Sequence, residues 1–483
     1  MRTRKTYGRK RIILDYSEVT PENFKEVLQK ALPIYGQNKA DCEYLIDYYL
    51  GKQDILDRPP PTTSTINNTT VVNYTQPITR DSVGYTFGNG IELVQRDINK
   101  IDDVRTLAEI YNYENDSFVD ICSGIYGSIC GFSYQITLPS PNIEQDYTPS
   151  VPIVYSYLDP RYTFVVQSND VGNPQIMSCM ISISNDGTKM FTCYTPKYKF
   201  TCKGLDFSNL KIEPNVVGLD PITMIENSIF LMGDWECIVS LLNAINQTTS
   251  DSLNDIEGTI RSILVILGAE FDENEDVEEA NLAKIKKNRL LTLANATGGN
   301  LDAKFIAPQL DSTSVENLRE YLQEAKNIIT GIPDRSSNSS GGDTGQAVLN
   351  RDGWTNLEIV ARLKEMFFKK GKKRQLEVGI QILKMLDIVS KDLNVFDFDI
   401  VIGRHNTDNL QTKTQAFATL VATHELATID CLEIACLTNK AREVVERGKK
   451  AKEERQKDEI KQEKALTDVY TSTEEKTVIN ETA

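Results

Sequence analysis

Histidine is nearly absent: 483 residues contain two, His405 and His424. Nine cysteines are scattered, and no two have C-x-x-C spacing. Together these exclude a Cys/His zinc site and a thioredoxin-type motif. His424 stands in Ala422-Thr-His-Glu-Leu426, which lacks the second histidine of H-E-x-x-H, and neither histidine has a nucleophile-elbow context. Long apolar runs are missing too. The greasiest, Ile263-Leu-Val-Ile-Leu267, falls far short of the roughly 20 residues a membrane-spanning helix needs. The basic start, Arg2 to Arg11, has no apolar segment behind it, so no secretory signal is expected. The cysteines are then expected as buried free thiols in a reducing compartment, and the sequons at Asn67 and Asn73 as unglycosylated. Net positive charge is also missing. At −16 the chain is not a default candidate for tight, sequence-specific grip on phosphates, although DNA could still pass it weakly bound.

Hydrophobic residues at 40% and charged residues at 25% indicate a globular chain. A helical region is expected over 20–50, split in two by Pro33. Helices follow up to Gly88-Asn-Gly90, over 102–113 and over 116–130. From Phe132 to Ile222, β-branched and aromatic runs alternate with turn formers, giving an antiparallel β region whose best hairpin signal is Asn185-Asp186-Gly187. Residues 235–267 carry apolar positions three and four apart, hence one helical face. Their polar middle, Asn246 to Asp251, suits either solvent or a neighbour packed on small side chains.

Residues 268–308 form an irregular block. Its acidic half contains Glu270, Asp272 and Glu273, its basic half Lys284, Lys286 and Lys287, and short strands are expected at 290–293 and 304–306. The acidic half lacks the D-x-[DN]-x-[DN]-G order that wraps calcium, so a solvated loop is expected. A helix capped at Ser312 or Thr313 presents Val315, Leu318, Leu322, Ala325 and Ile329 on one face and carries Arg319 and Lys326. After Gly331-Ile-Pro333 comes a polar loop containing Ser336, Ser337, Asn338, Ser339, Ser340, Gly341, Gly342, Asp343 and Thr344. It lacks G-x-x-x-x-G-K-[ST] and is no P-loop. A long helix over 354–391, interrupted at Gly371 and Gly379, carries a basic cluster, Lys369 to Arg374, that could bind phosphates or pair with acids of a neighbouring subunit. A strand over 396–402, helices over 412–424 and 430–435 and a charged helix over 440–464 complete the pattern.

Five segments resemble motifs of the portal proteins, the head-to-tail connectors of tailed phages, in the lineage of long-tailed phages of Gram-positive bacteria. They are Tyr48-Tyr-Leu-Gly-Lys-Gln-Asp-Ile-Leu56; Asn67 to Tyr74 with Val83 to Gly90; Asp159-Pro-Arg-Tyr-Thr-Phe-Val-Val166; Gly233-Asp-Trp-Glu-Cys-Ile-Val-Ser-Leu-Leu-Asn-Ala-Ile245; and Asp343-Thr-Gly-Gln-Ala347. Each is weak alone, but their order is the family's.

The resemblance implies an α+β portal fold. Its parts would be a mixed wing (1–232), two stem helices (233–267 and 312–333), a small α/β clip (268–311), a tunnel loop (334–347), a long wing helix with return strand (348–404) and a helical crown with tail (405–483). It implies a homo-oligomeric ring, typically a dodecamer, at one capsid vertex of the virion, assembled in the host cytoplasm. Double-stranded DNA would pass through without sequence readout. Partners would be the terminase large subunit, major capsid and scaffolding proteins and a head-completion or adaptor protein, with no membrane, cofactor, metal or catalytic residue. The loop residues 336–344 would face the channel with Arg319 and Lys326 of the stem, and Glu270, Asp272, Glu273, Lys284, Lys286 and Lys287 would face the motor or adaptor. The alternatives are another virion structural protein, such as an adaptor or minor capsid component, and a metal-dependent phage nuclease.

Overall fold

The computed structural model describes residues 7–61, 66–96, 100–140, 151–204, 207, 209–260, 263–267, 290–293, 302–306, 312–332, 354–403, 410–435, 437–438, 441 and 444–457. The architecture is α+β. The first strand, β1 (Ile12–Leu14), precedes a long helix, α1 (Phe24–Tyr49). Pro33 does not split this helix: Phe24, Val27, Leu28, Ala31, Tyr35, Cys42, Leu45 and Tyr48 form one buried series through it. Burial of that continuous face outweighs the hydrogen bond that proline removes.

Helices α2 (Thr75–Phe87), α3 (Ile101–Tyr113) and α4 (Asp116–Cys130) follow, with β2 (Ile91–Gln95) between the first two. Gly131 ends α4 at φ 87°, and a β-carbon there would lie 2.1 Å from the Leu231 carbonyl oxygen, so only glycine fits. The β region then divides in two. Strands β3 (Phe132–Pro139), β4 (Ile153–Leu158) and β10 (Ile222–Glu226) make a three-stranded sheet in the order β10-β3-β4. Strands β5 (Thr163–Ser168), β6 (Gln175–Ile183), β7 (Lys189–Tyr194), β8 (Tyr198–Lys203) and β9 (Lys211–Pro214) make the second sheet together with β1. Ser184 to Thr188 turn the β6–β7 hairpin, as Asn185-Asp186-Gly187 predicts. The sheet is not purely antiparallel, because β1 pairs parallel with β5. The N-terminal segment from Tyr7 onward is therefore built into the fold instead of hanging free as an arm.

Helix α5 (Val239–Ile260) ends seven residues before the periodic pattern does. Ile263–Leu267 forms β11, pairing parallel with β12 (Leu290–Leu293) and antiparallel with β13 (Asp302–Ile306). A β-branched apolar run satisfies both readings by period alone, and strand partners decide it. Helix α6 (Ser312–Thr330) packs against α5 and stops at Gly331, whose φ is +69°.

Helix α7 (Trp354–Met385) is continuous through Gly371 and Gly379 and ends short of Lys391. Its glycines permit contact: a β-carbon at Gly379 would lie 2.1 Å from the Tyr111 hydroxyl, and one at Gly371 3.0 Å from Ile225 Cγ1. Strand β14 (Phe398–Ile402) pairs antiparallel with β2, and α8 (Leu410–Ala422) and α9 (Thr428–Ile434) follow. Residues 444–457 are helical and largely exposed.

Candidate functional site

Two of the five motif segments, Tyr48 to Leu56 and Gly233 to Ile245, meet at the start of α5 together with Thr79 of α2. Trp235 is fully buried, stacks on Tyr48 at 5.7 Å between ring centroids and donates its indole N–H to Thr79 Oγ1 at 3.1 Å. Tyr48 donates its hydroxyl to Asn243 Oδ1 at 2.9 Å, and Asn243 Nδ2 donates to Asp54 at 2.9 Å. The residues flanking Trp235 are acidic, Glu236 fully buried and Asp234 nearly so, and each takes a cation from a distant element. Glu236 accepts from the Arg9 guanidinium, from the Gly8 N–H at 2.7 Å and from the Gly233 N–H at 3.0 Å. Asp234 pairs with Lys364 of α7 and accepts from Ser128 Oγ at 2.6 Å and Asn227 Nδ2 at 2.9 Å. Burial pushes the Asp234 carboxyl up, but the Lys364 ammonium and these hydrogen bonds outweigh it and hold the group below its usual value. The mount of α5 is thus tied to the N-terminal segment, α2, α4 and α7 at once.

Farther along α5, one side of the polar middle packs against the backbone of residues 68–72. Val72 N–H donates to Asn246 Oδ1 at 2.8 Å, Thr70 N–H to Ser250 Oγ at 2.9 Å and Asn68 N–H to Asn254 Oδ1 at 2.7 Å. Positions four apart on a helix rise about 6 Å, and positions two apart on an extended chain about 6.6 Å. The two repeats nearly match, so three side chains of α5 satisfy three alternate backbone donors. Asn246 and Ser250 are consequently buried. The signal was present in the sequence as Asn, Ser and Asn four residues apart.

The basic cluster on α7 turns inward at Lys372. Its ammonium lies 2.9 Å from both Asp120 oxygens and 2.8 Å from the Tyr155 hydroxyl, all buried. Lys369 pairs with Glu365 one turn away. Both of these pairings lie within the chain. Neither Asp120 nor Arg9 stands out in the sequence, because their partners lie more than 200 residues away.

Of the channel candidates, Arg319 is exposed on α6, whereas Lys326 is half-buried with its ammonium 3.9 Å from the centre of the Tyr74 ring. Ser336 to Thr344, the motif segment Asp343 to Ala347, and the clip residues Glu270, Asp272, Glu273, Lys284, Lys286 and Lys287 lie outside the described residues, as does His405. On α6, Leu322 is buried, but Leu318, Tyr321, Ile328 and Ile329 are 47–68% exposed. On the first half of α7, Ile359, Leu363 and Met366 are 54–69% exposed at helical spacing. Among the described residues no cluster of His, Cys, Asp and Glu could hold a metal ion, and no helix is long and apolar enough to cross a membrane.

A family model described as phage portal protein, SPP1 Gp6-like, matches residues 28–458. No curated protein matches the chain.

Proposed function

The chain belongs to the SPP1 Gp6-like phage portal proteins, a structural and non-enzymatic family, and on that premise we propose that its copies close head to tail into a ring at one capsid vertex. The ring conducts double-stranded DNA during packaging and ejection, and docks first the terminase and later head-completion or tail proteins. The observation that carries this reading is the apolar surface left open on α6 and α7. Soluble monomers seldom leave contiguous apolar stripes uncovered, and head-to-tail contact between unlike faces covers them on every copy when the rotation closes.

An acidic chain suits a conduit. With net charge −16 it repels phosphate overall, so DNA slides more readily than it sticks. Opposite unit charges 4 Å apart in water attract by only about 1 kcal/mol, so a few residues such as Arg319 brake DNA reversibly. The hydroxyl- and glycine-rich segment 336–344 contacts phosphates without reading bases. Lys326, engaged with Tyr74, is the weaker of the two stem candidates.

Negative-stain images of the purified full-length chain test the reading. Top views with a central hole are expected, together with a light-scattering mass many times 54.3 kDa. A persistent monomer in the presence of its scaffolding protein, or closed particles with no axial opening, sinks it. Deleting Ser336 to Asp343 is expected to leave rings intact while impairing packaging or DNA retention; failure to assemble removes that segment from the channel.

A further inference from the structure

Strands β6 and β7 place two cysteines directly opposite each other, Cys179 facing Cys193, both fully buried beneath α1. The hydrogen-bond alternation fixes which kind of pair this is. Ser184 N–H donates to the Thr188 carbonyl, so Ser184 and Thr188 form a bonded pair next to the turn. Counting inward, every second pair is bonded, and Cys179–Cys193 falls on the unbonded positions. Ile181 is on the same parity and donates its N–H to Tyr162 on the opposite side, away from β7. At unbonded pairs the α-carbons approach to about 4.5 Å, inside the range that a disulfide spans. The two Sγ atoms are 2.6 Å apart.

We propose that Cys179 and Cys193 are a disulfide-forming pair, a staple across the wing sheet that closes when the protein meets a low-molecular-weight disulfide. The thiolate of one cysteine attacks the oxidant's S–S bond and releases one small thiol, leaving a mixed disulfide on the protein. The second thiolate then displaces the remaining small thiol and forms the Cys179–Cys193 bond. The two cysteines lose two protons and two electrons, which leave with two molecules of reduced small thiol. Burial, then the hydrogen bond with Cys179, pushes the Cys193 thiol well up. Closure is therefore slow at neutral pH and requires local opening of the hairpin. Cys202, one strand over, faces Phe191.

The test incubates the purified full-length protein with oxidised glutathione at mildly alkaline pH and sub-denaturing urea, then alkylates the remaining thiols and maps the peptides. The expected product is a Cys179–Cys193 linked peptide, with a melting temperature several degrees above that of the reduced protein. Cys193→Ser is expected to keep the reduced protein's melting temperature and lose the shift on oxidation. Mixed glutathione adducts that never resolve, or linkage only through Cys42 and Cys130, overturn the proposal. So does a shift that survives in both Cys179→Ser and Cys193→Ser.

Discussion

The mount of α5 and the outer faces of α6 and α7 are both built from helices, yet only the mount is covered among the described residues. At the mount, Glu236, Asn246 and Ser250 are buried and Asp234 nearly so, and each has partners from distant segments. On the outer faces, Tyr321, Ile328 and Met366 stay two-thirds exposed, and no described residue covers them. On the proposed reading, the difference separates what one chain does alone from what further copies complete. A buried polar network is costly unless complete, so it must close inside the folding unit. Apolar surface tolerates waiting for a partner.

The sharpest way to break this comparison is to open the finished side. Lys372→Met leaves Asp120 buried without its cation, and calorimetry should register a loss of roughly 3–5 kcal/mol. The double variant with Asp120→Leu is expected to recover much of it, because both desolvation costs disappear together. If the single variant melts like wild type, the pair is not buried as described.

A second disturbance uses pH. Asp220 accepts from Ser178 Oγ, Gln175 Nε2 at 2.8 Å and the Ile222 N–H, linking the two sheets, and burial pushes its carboxyl up to about 6. The native state therefore holds a proton that the unfolded chain releases between about pH 4 and pH 6. This group's contribution to stability is present below the unfolded value and is lost as pH rises through about 6. The difference across that window is on the order of 3 kcal/mol. Melting curves of Asp220→Asn against wild type should differ in slope there; parallel curves remove Asp220 as the cause.

Smaller again is the ladder. Asn246→Ala strands the Val72 N–H and the Gln53 side-chain oxygen, and urea titration should show a loss of about 1–3 kcal/mol with unchanged m-value. The smallest effect belongs to the open side. Leu318→Ser with Ile328→Ser should change stability of the isolated chain by no more than about 0.5 kcal/mol while reducing assembly. A large destabilisation of the monomer would show that this face is core after all.

Periodicity and turn chemistry determined the α+β class and most element positions, because they are local properties of the chain, and the family was legible only in the order of five motif segments. The motifs also located the two segments that meet at Trp235, though not that they meet. Pro33 and the two glycines of α7 misled because their local cost was outweighed by contacts with distant residues, Tyr111 and Ile225 among them. Only tertiary structure decided where α5 gives way to β11, and that Arg9 and Lys372 serve the interior rather than a partner. Burial and ion pairing join residues hundreds of positions apart, and no local pattern encodes such a pairing.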